Sequence, residues 1–241
     1  MNSRMAGRRR KKTVKPFFRM LIRIGIRMAV FMLLVTLVQV AVLRYINPSF
    51  TIRVLWDYTD HLIKSKPYRR PTFLWRPLDK ISPHLQRAVL AAEDQRFRDH
   101  HGFDVVEIRE AVKDSLRNHR LRGASTISMQ TARTVFLLPV RSILRKAMEA
   151  YYTALIELLW TKRRILEMYL NTVDWGPRVM GAEAASLVYF QRHSDKLTPR
   201  QAALLTAILP SPHRLSPVRP NRYVRIRAER ILADMSLMPL L

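Results

Sequence analysis

The sequence predicts a mainly α-helical domain preceded by a single transmembrane helix. Three observations carry this. Residues 28–43 (MAVFMLLVTLVQVAVL) run without a charge directly behind a stretch of cations. From Ser82 onward, apolar residues recur at helical spacing behind helix-starting residues. No alternating apolar–polar run is long enough to argue a sheet.

The tail comes first. Arg4, Arg8, Arg9, Arg10, Lys11, Lys12, Lys15, Arg19, Arg23 and Arg27 precede Met28 with no acid among them. The uncharged run is somewhat short of the roughly 20 residues that cross a bilayer. Leu21, Ile22, Ile24 and Ile26 extend the apolar surface, and Arg27 and Arg44 can snorkel. The expected division is a basic cytoplasmic tail over 1–20, an anchor over 21–45, a juxtamembrane connector over 46–81 and a main domain over 82–241. A buried core helix is the first alternative to the anchor, and ten uncompensated cations speak against it. A cleaved signal peptide is the second, and no clear small-x-small site precedes Arg44. Lys and Arg total 43 against 18 Asp and Glu, a net charge of +25. Subtracting the ten tail cations from +25 leaves +15, so the main domain is itself basic and suits an anionic partner. Phe17 and Phe18 are the tail's only aromatics and are not interleaved with its cations, so a membrane is expected rather than nucleic acid. Cysteine is absent, which excludes disulfides and thiolate metal sites.

The connector is prolific in breakers. Pro67, Pro71, Pro77 and the Arg69–Arg70 pair suggest an irregular surface path. Residues 51–56 read equally as a short strand or a helix start. Trp56, Tyr58, Phe73 and Trp75 either sit at a membrane interface or pack the domain.

Helices then follow in series. Ser82 and Pro83 read as N-cap and N1, with Leu85, Val89 and Ala92 on one face. Asp104 and Glu107 resemble a capping box, with Ile108, Val112 and Leu116 as the buried stripe. Ser142 opens a helix that turns Leu144, Met148, Leu155 and Leu159 towards a core. Thr161 caps the next, carrying Ile165, Leu166, Tyr169 and Leu170. Thr198, Pro199 and Gln201 start a helix over 201–209, and a last one runs over about 221–235.

Four motifs could carry chemistry. In 91–104 (AAEDQRFRDHHGFD), Glu93 and Asp94 end an apolar helix and Phe97, His100 and Gly102 follow. A carboxylate at a helix end can be partly desolvated without being sealed in, which suits general acid–base work. In 123–130 (GASTISMQ), small hydroxyl residues before a helix leave free N–H groups, an anion site. Ser125 is the expected N-cap, with Gln130 and Arg133 projecting from the first turns; a purely structural cap is the alternative. Arg145, Lys146 and Glu149 share a helix face, either as a surface ion pair or as a phosphate clamp. Residues 162–190 read as two core helices around a glycine-bounded loop. Only six glycines occur, and Gly102, Gly123, Gly176 and Gly181 fall in these motifs, where they mark either positive φ and close approach or ordinary helix ends. The seven histidines form no metal-ligand spacing.

Together these motifs resemble the monofunctional biosynthetic peptidoglycan transglycosylases, and the glycosyltransferase domain of bifunctional penicillin-binding proteins. The family pattern is E-D-x-x-F-x-x-H-x-G-x-D, G-x-S-T-I-x-Q-Q, R-K-x-x-E, then I-L-x-x-Y-L-N with spaced glycines. This chain matches with Glu93, Asp94, Phe97, His100, Gly102 and Asp104; Gly123, Ser125, Thr126, Ile127 and Gln130; Arg145, Lys146 and Glu149; and Ile165, Leu166, Tyr169, Leu170, Asn171, Gly176 and Gly181. Met129 departs from the pattern, and Arg133–Thr134 stands where Lys-Asn is usual. The match covers roughly residues 76–220, and the chain is too short to add a transpeptidase domain.

The resemblance implies a lysozyme-like, two-lobed helical domain whose smaller lobe dips into the membrane. It implies glycan-strand polymerisation from lipid II and a lipid-linked glycan, at the outer face of the bacterial inner membrane. Glu93 is expected as general base and Glu149 as the second catalytic carboxylate. Arg96, Ser125, Gln130, Arg133, Arg145 and Lys146 are expected to bind substrate or its pyrophosphate. A divalent cation, Mg or Mn, stays open as a cofactor. Penicillin-binding proteins and the division or elongation machinery are the candidate protein partners that the resemblance implies. The rivals are a lytic enzyme on the same fold and a non-catalytic, membrane-tethered scaffold.

Overall fold

The computed structural model describes residues 15–49, 51–64, 71–118, 123–140 and 142–241. The chain forms two compact units, residues 1–42 and residues 43–241. Most of the tail cations, together with Pro67 and the Arg69–Arg70 pair, lie outside the described residues.

Helix α1 spans Lys15–Tyr45. Its stretch Phe18–Tyr45 is long and apolar enough to cross a membrane. The helix starts ahead of the expected anchor boundary because nothing in 15–27 breaks it.

In the second unit, α2 (Ile52–Ile63) resolves the ambiguity at residues 51–56 in favour of a helix. Thr51 starts it, accepting the Val54 N–H through Oγ1 and the Leu55 N–H through its carbonyl. That helix ends before the prolines; around Pro71 and Pro77 the chain is irregular apart from a two-residue strand. Strand β1 (Thr72–Phe73) lies parallel to β3 (Val179–Met180), which pairs antiparallel with β2 (Asp174–Gly176). Strands of two or three residues carry no period-2 signal, so this sheet was not foreseen.

The helical framework follows the caps. Ser82 caps α3 (Pro83–Glu93), Ser142 caps α6 (Ile143–Leu159), and Thr161 caps α7 (Lys162–Thr172). The α9 helix (Pro199–Ile208) has a full capping box from Thr198 and Gln201, and Asn221 caps α10 (Arg222–Asp234). Between them lie α4 (Val105–Asn118), α5 (Ile127–Phe136) and α8 (Ala182–Phe190). Two packing groups result: α3 lies against α9 and α10, and α5 lies against α6 and α7. Leu85, Val89, Ile127, Ile156, Ile165, Leu166, Leu170 and Leu205 are fully buried between these helices.

Two expectations about burial fail. Ile108, Val112 and Leu116, read as a buried stripe, face outward, with Leu116 75 % exposed. Ala111 is the one apolar residue of α4 that is buried, and none of the principal helix pairings involves α4. An amphipathic period shows that one face is apolar, not that protein covers it. Leu144 likewise points outward at the start of α6, whereas Leu155 on the same helix is buried.

Candidate active site

Glu93 is the last residue of α3 and stands where the two helix groups meet. Its Oε2 accepts the Nε2–H of Gln130 from α5 at 3.0 Å. Its Oε1 accepts from Arg227 of α10 at 3.2 Å. The Tyr169 hydroxyl donates to Oε1 of Gln130 at 3.4 Å, which turns the amide so that its NH2 faces Glu93. The Glu93 side chain keeps 16 % of its surface exposed. Burial pushes its carboxyl above the ordinary value. The Gln130 hydrogen bond and the charges of Arg227 and Arg133 pull it back, while Asp94 adds to the rise. Burial also pushes the Tyr169 phenol well above its usual value, with Glu93 as a lesser cause.

Asp94 is adjacent in sequence and differently employed. It is buried, and its Oδ1 accepts the Nε2–H of His100 at 2.9 Å. Its Oδ2 accepts the backbone N–H of Ile127, the first residue of α5, at 2.9 Å. The N-terminal end of α5 therefore already holds an anion, supplied by the protein itself. Of the helix-start N–H groups read as an anion site in 123–130, that of Ile127 is therefore occupied from within the chain. The N-cap is also Thr126, not Ser125: Thr126 accepts the Met129 N–H and donates to the Gly102 carbonyl at 2.6 Å. Ser125 sits one residue ahead of the cap, half-buried.

The loop after α3 is built around His100 and Gly102. His100 Nδ1 accepts the Gly102 N–H, which fixes the neutral tautomer that donates from Nε2. Phe97 is buried, with Lys162 4.4 Å above its ring and His100 edge-on to it. Gly102 has φ +91°, and a Cβ there would lie 2.8 Å from Thr153 Cγ2 on α6. Arg96 pairs with Asp104, at 3.6 Å. Asp104 also accepts the Val106 and Glu107 N–H groups and so starts α4.

Glu149 forms a second centre on α6. It is 0 % exposed, so the reading as a surface ion pair does not hold. Its Oε2 accepts from Arg145 at 2.9 Å and its Oε1 from Lys146 at 2.7 Å. Lys146 is 53 % exposed and Arg145 less so, which leaves donors of both facing outward. Arg133, on α5 between the two centres in sequence, is half-buried and has no ion-pair partner among the described residues.

The remaining motif residues are structural. Asn171 is buried and bridges the backbone of Arg76, accepting its N–H and donating to its carbonyl, each at 2.8 Å. Gly181 passes so close to the Asn171 carbonyl that a Cβ would sit 2.6 Å from it. Gly176 lies against the Tyr189 hydroxyl in the β2–β3 hairpin. Gly123 has open space around it and no positive φ, so the expectation of close approach fails there.

At both acidic clusters of the site, ligand atoms are already engaged within the protein. At Glu149 both oxygens already face cations. Asp94, His100 and Asp104 bring ligand atoms within 4.8 Å of one another. Both imidazole nitrogens and both Asp94 oxygens are engaged in the hydrogen bonds above, and Asp104 serves the N-terminus of α4.

Two site residues were missed from sequence. Tyr169 was read as core, although it lies in the Y-L-N part of a recognised motif. Arg227 stands in an arginine-rich helix (RYVRIRAERILAD) where nothing distinguishes it from its neighbours.

The transglycosylase family model matches residues 60–236. The chain is 41 % identical over 223 residues to a protein of Bacteroides thetaiotaomicron, covering 91 % of this chain and 88 % of the relative. It is 46 % identical over 203 residues to one of Aeromonas hydrophila, covering 84 % and 85 %. It is 44 % identical over 200 residues to one of Pseudomonas aeruginosa, covering 83 % and 86 %. Each of the three is named a biosynthetic peptidoglycan transglycosylase.

Proposed function

Because the chain belongs to the transglycosylase family and is a peptidoglycan glycosyltransferase, we propose that it lengthens glycan strands with Glu93 as its general base. The donor is a growing glycan on polyprenyl pyrophosphate and the acceptor is lipid II. The acceptor 4-hydroxyl oxygen bonds to the donor anomeric carbon as the bond to the pyrophosphate oxygen breaks. Glu93 takes the hydroxyl proton. An α-pyrophosphate becomes a β-glycoside in one displacement with inversion, so no covalent glycosyl-enzyme is required.

The observation that carries this is the Glu93 carboxylate itself. Two donors on two different helices hold its plane, one on each oxygen. Each oxygen keeps a lone pair for an incoming proton. Burial raises its basicity, as a base working near neutral pH requires. To Arg133, Arg145 and Lys146 we assign the neutralisation of the departing pyrophosphate; Glu149 holds the last two in ion pairs, which supports the assignment. Arg96 is spent on Asp104 and is not assigned that role.

The setting is a membrane surface. The basic tail stays on the cytoplasmic side of α1, which puts the second unit outside. The apolar face of α4, with Ile143 and Leu144 at the start of α6, is exposed and suits contact with lipid tails around the substrate's polyprenyl chain.

Purified full-length protein in detergent tests the reading. Wild type should polymerise labelled lipid II and leave finished sacculi intact. The variant Glu93→Gln should bind lipid II and not polymerise it. Substantial polymerisation by that variant removes Glu93 as the base, and release of fragments from sacculi points to the lytic rival.

A further inference from the structure

We propose that Arg227, from the last helix of the chain, is a positioning residue for the reaction: it holds Oε1 of Glu93 and keeps that carboxylate ionised and correctly aimed. This rests on the reading of Glu93 as the general base.

The geometry gives Arg227 this place. Glu93 and Arg227 are 134 positions apart in sequence, and their contact joins α3 to α10 beside the α9 helix that both pack against. The Arg227 side chain is 28 % exposed, so its guanidinium is partly withdrawn from water where it meets the carboxylate. Its Nε–H is buried without an acceptor. A buried guanidinium donor left unsatisfied is costly, and the Glu93 contact is the one ion pair that offsets it among the described residues. On the other side Gln130 holds Oε2, so the carboxylate cannot rotate without losing one donor or the other.

The groups that face Glu93 from every neighbouring element are few. Gln130 and Arg133 come from α5, Tyr169 approaches from α7 behind Gln130, Arg227 comes from α10, and Asp94 follows in the chain. Gln130 has no charge, and guanidinium groups stay charged throughout the working range. Burial favours the protonated form of Glu93. A protonated Glu93 cannot accept the acceptor's proton. Arg227 opposes this by favouring the ionised form, and it does so without occupying the second lone pair of Oε1.

A structural residue and a positioning residue predict different pH behaviour. If Arg227 only glued α10 to α3, its loss would lower activity by the same factor at every pH. If it keeps Glu93 ionised, its loss moves the acid limb of the rate profile to higher pH. The test compares wild type, Arg227→Met and Arg227→Lys as full-length proteins in detergent. Initial rates of lipid II polymerisation are measured at subsaturating and saturating substrate between pH 5.5 and 9, on the order of two units either side of a working pH near neutrality. The ratio of variant to wild-type rate cancels any titration of the substrate itself. For Arg227→Met the expected deficit is on the order of tenfold or more at the acid end and shrinks as pH rises. It should lie in kcat more than in KM. Arg227→Lys keeps the charge and should show a smaller deficit of the same sign.

A deficit independent of pH, or no deficit, overturns the proposal while leaving Glu93 as base if Glu93→Gln is dead in the same assay. Retained turnover in Glu93→Gln overturns both. If Arg227→Met fails to fold, as judged by circular dichroism, the Arg227→Lys profile decides alone by the same criterion.

Discussion

Replacing Glu149 with glutamine probes the second carboxylate, because the change keeps shape and removes charge. The wild-type side chain is fully buried, and its negative charge is tolerated there through Arg145 at 2.9 Å and Lys146 at 2.7 Å. Glutamine can accept at one atom only, and its NH2 group would face the other cation, donor against donor. Removing one partner of a buried pair costs about 3–5 kcal/mol. Lys146 is half exposed and regains water when released, so most of the penalty falls on Arg145 and the lower end applies, about 3 kcal/mol. Domains of this size lose roughly 2–4 °C of melting temperature per kcal/mol, so the variant should melt about 6–12 °C lower. Catalysis should fall further than stability does. Below the melting range, lipid II turnover should drop about 100-fold, the scale for losing one preorganised cation that meets developing charge, because Glu149 holds Arg145 and Lys146 in place. Thermal melts by circular dichroism and initial rates on the same preparation separate the two effects. An unchanged melt would refute the buried-pair argument. A lowered melt with full turnover would keep the pair and remove its part in holding pyrophosphate.

Two further outcomes follow from the surroundings of the site. Gly102→Ala forces a Cβ into φ +91° and within 2.8 Å of Thr153, so a loss of about 2 kcal/mol is expected, read as a lower melting temperature. Gly123→Ala, with open space and no positive φ, should melt like wild type. Glu183, buried in α8, is raised by burial but held down more strongly by Arg76, His193 and Ser194, leaving its carboxyl at about 2 against an ordinary 4.5. A depressed folded value gives stability that is complete above 4.5 and lost as pH falls towards 2. That contribution is about 3 kcal/mol at most. Glu183→Gln should therefore melt lower at neutral pH and lose less on acidification than wild type does; equal acid sensitivity would contradict the assignment.

What the sequence made legible is what is local. The caps at Ser82, Thr161 and Thr198 act within three residues of themselves, so cap and helix are met together along the chain. Arg145, Lys146 and Glu149 are likewise brought together by helix geometry alone. What was not legible depends on which surfaces meet. Arg227 reaches Glu93 only because α3 and α10 pack side by side. The helix start at α5 was visible, and so was Asp94, but their union across 33 positions was not; the free N–H groups looked available for a ligand when the protein had already filled one. The exposed face of α4 failed for another reason. Its apolar period is real, but the period cannot say whether protein or lipid lies against it.

The three carboxylates of the site differ in surroundings more than in chemistry, and the difference argues for their division of labour. Asp94 is consumed: an imidazole holds one oxygen and a helix N-terminus the other, so taking a proton would break the loop that shapes the site. Glu149 is sealed: with no exposed surface and a cation on each oxygen, it has no path for a sugar hydroxyl to reach it. Glu93 alone combines a raised proton affinity, a fixed plane and an open edge. A helix end makes the combination attainable, since the backbone there leaves the element and one side of the residue stays uncovered. One turn earlier on α3 the same side chain would lie among Val89 and Leu90, which are buried, and would be too enclosed to meet a substrate.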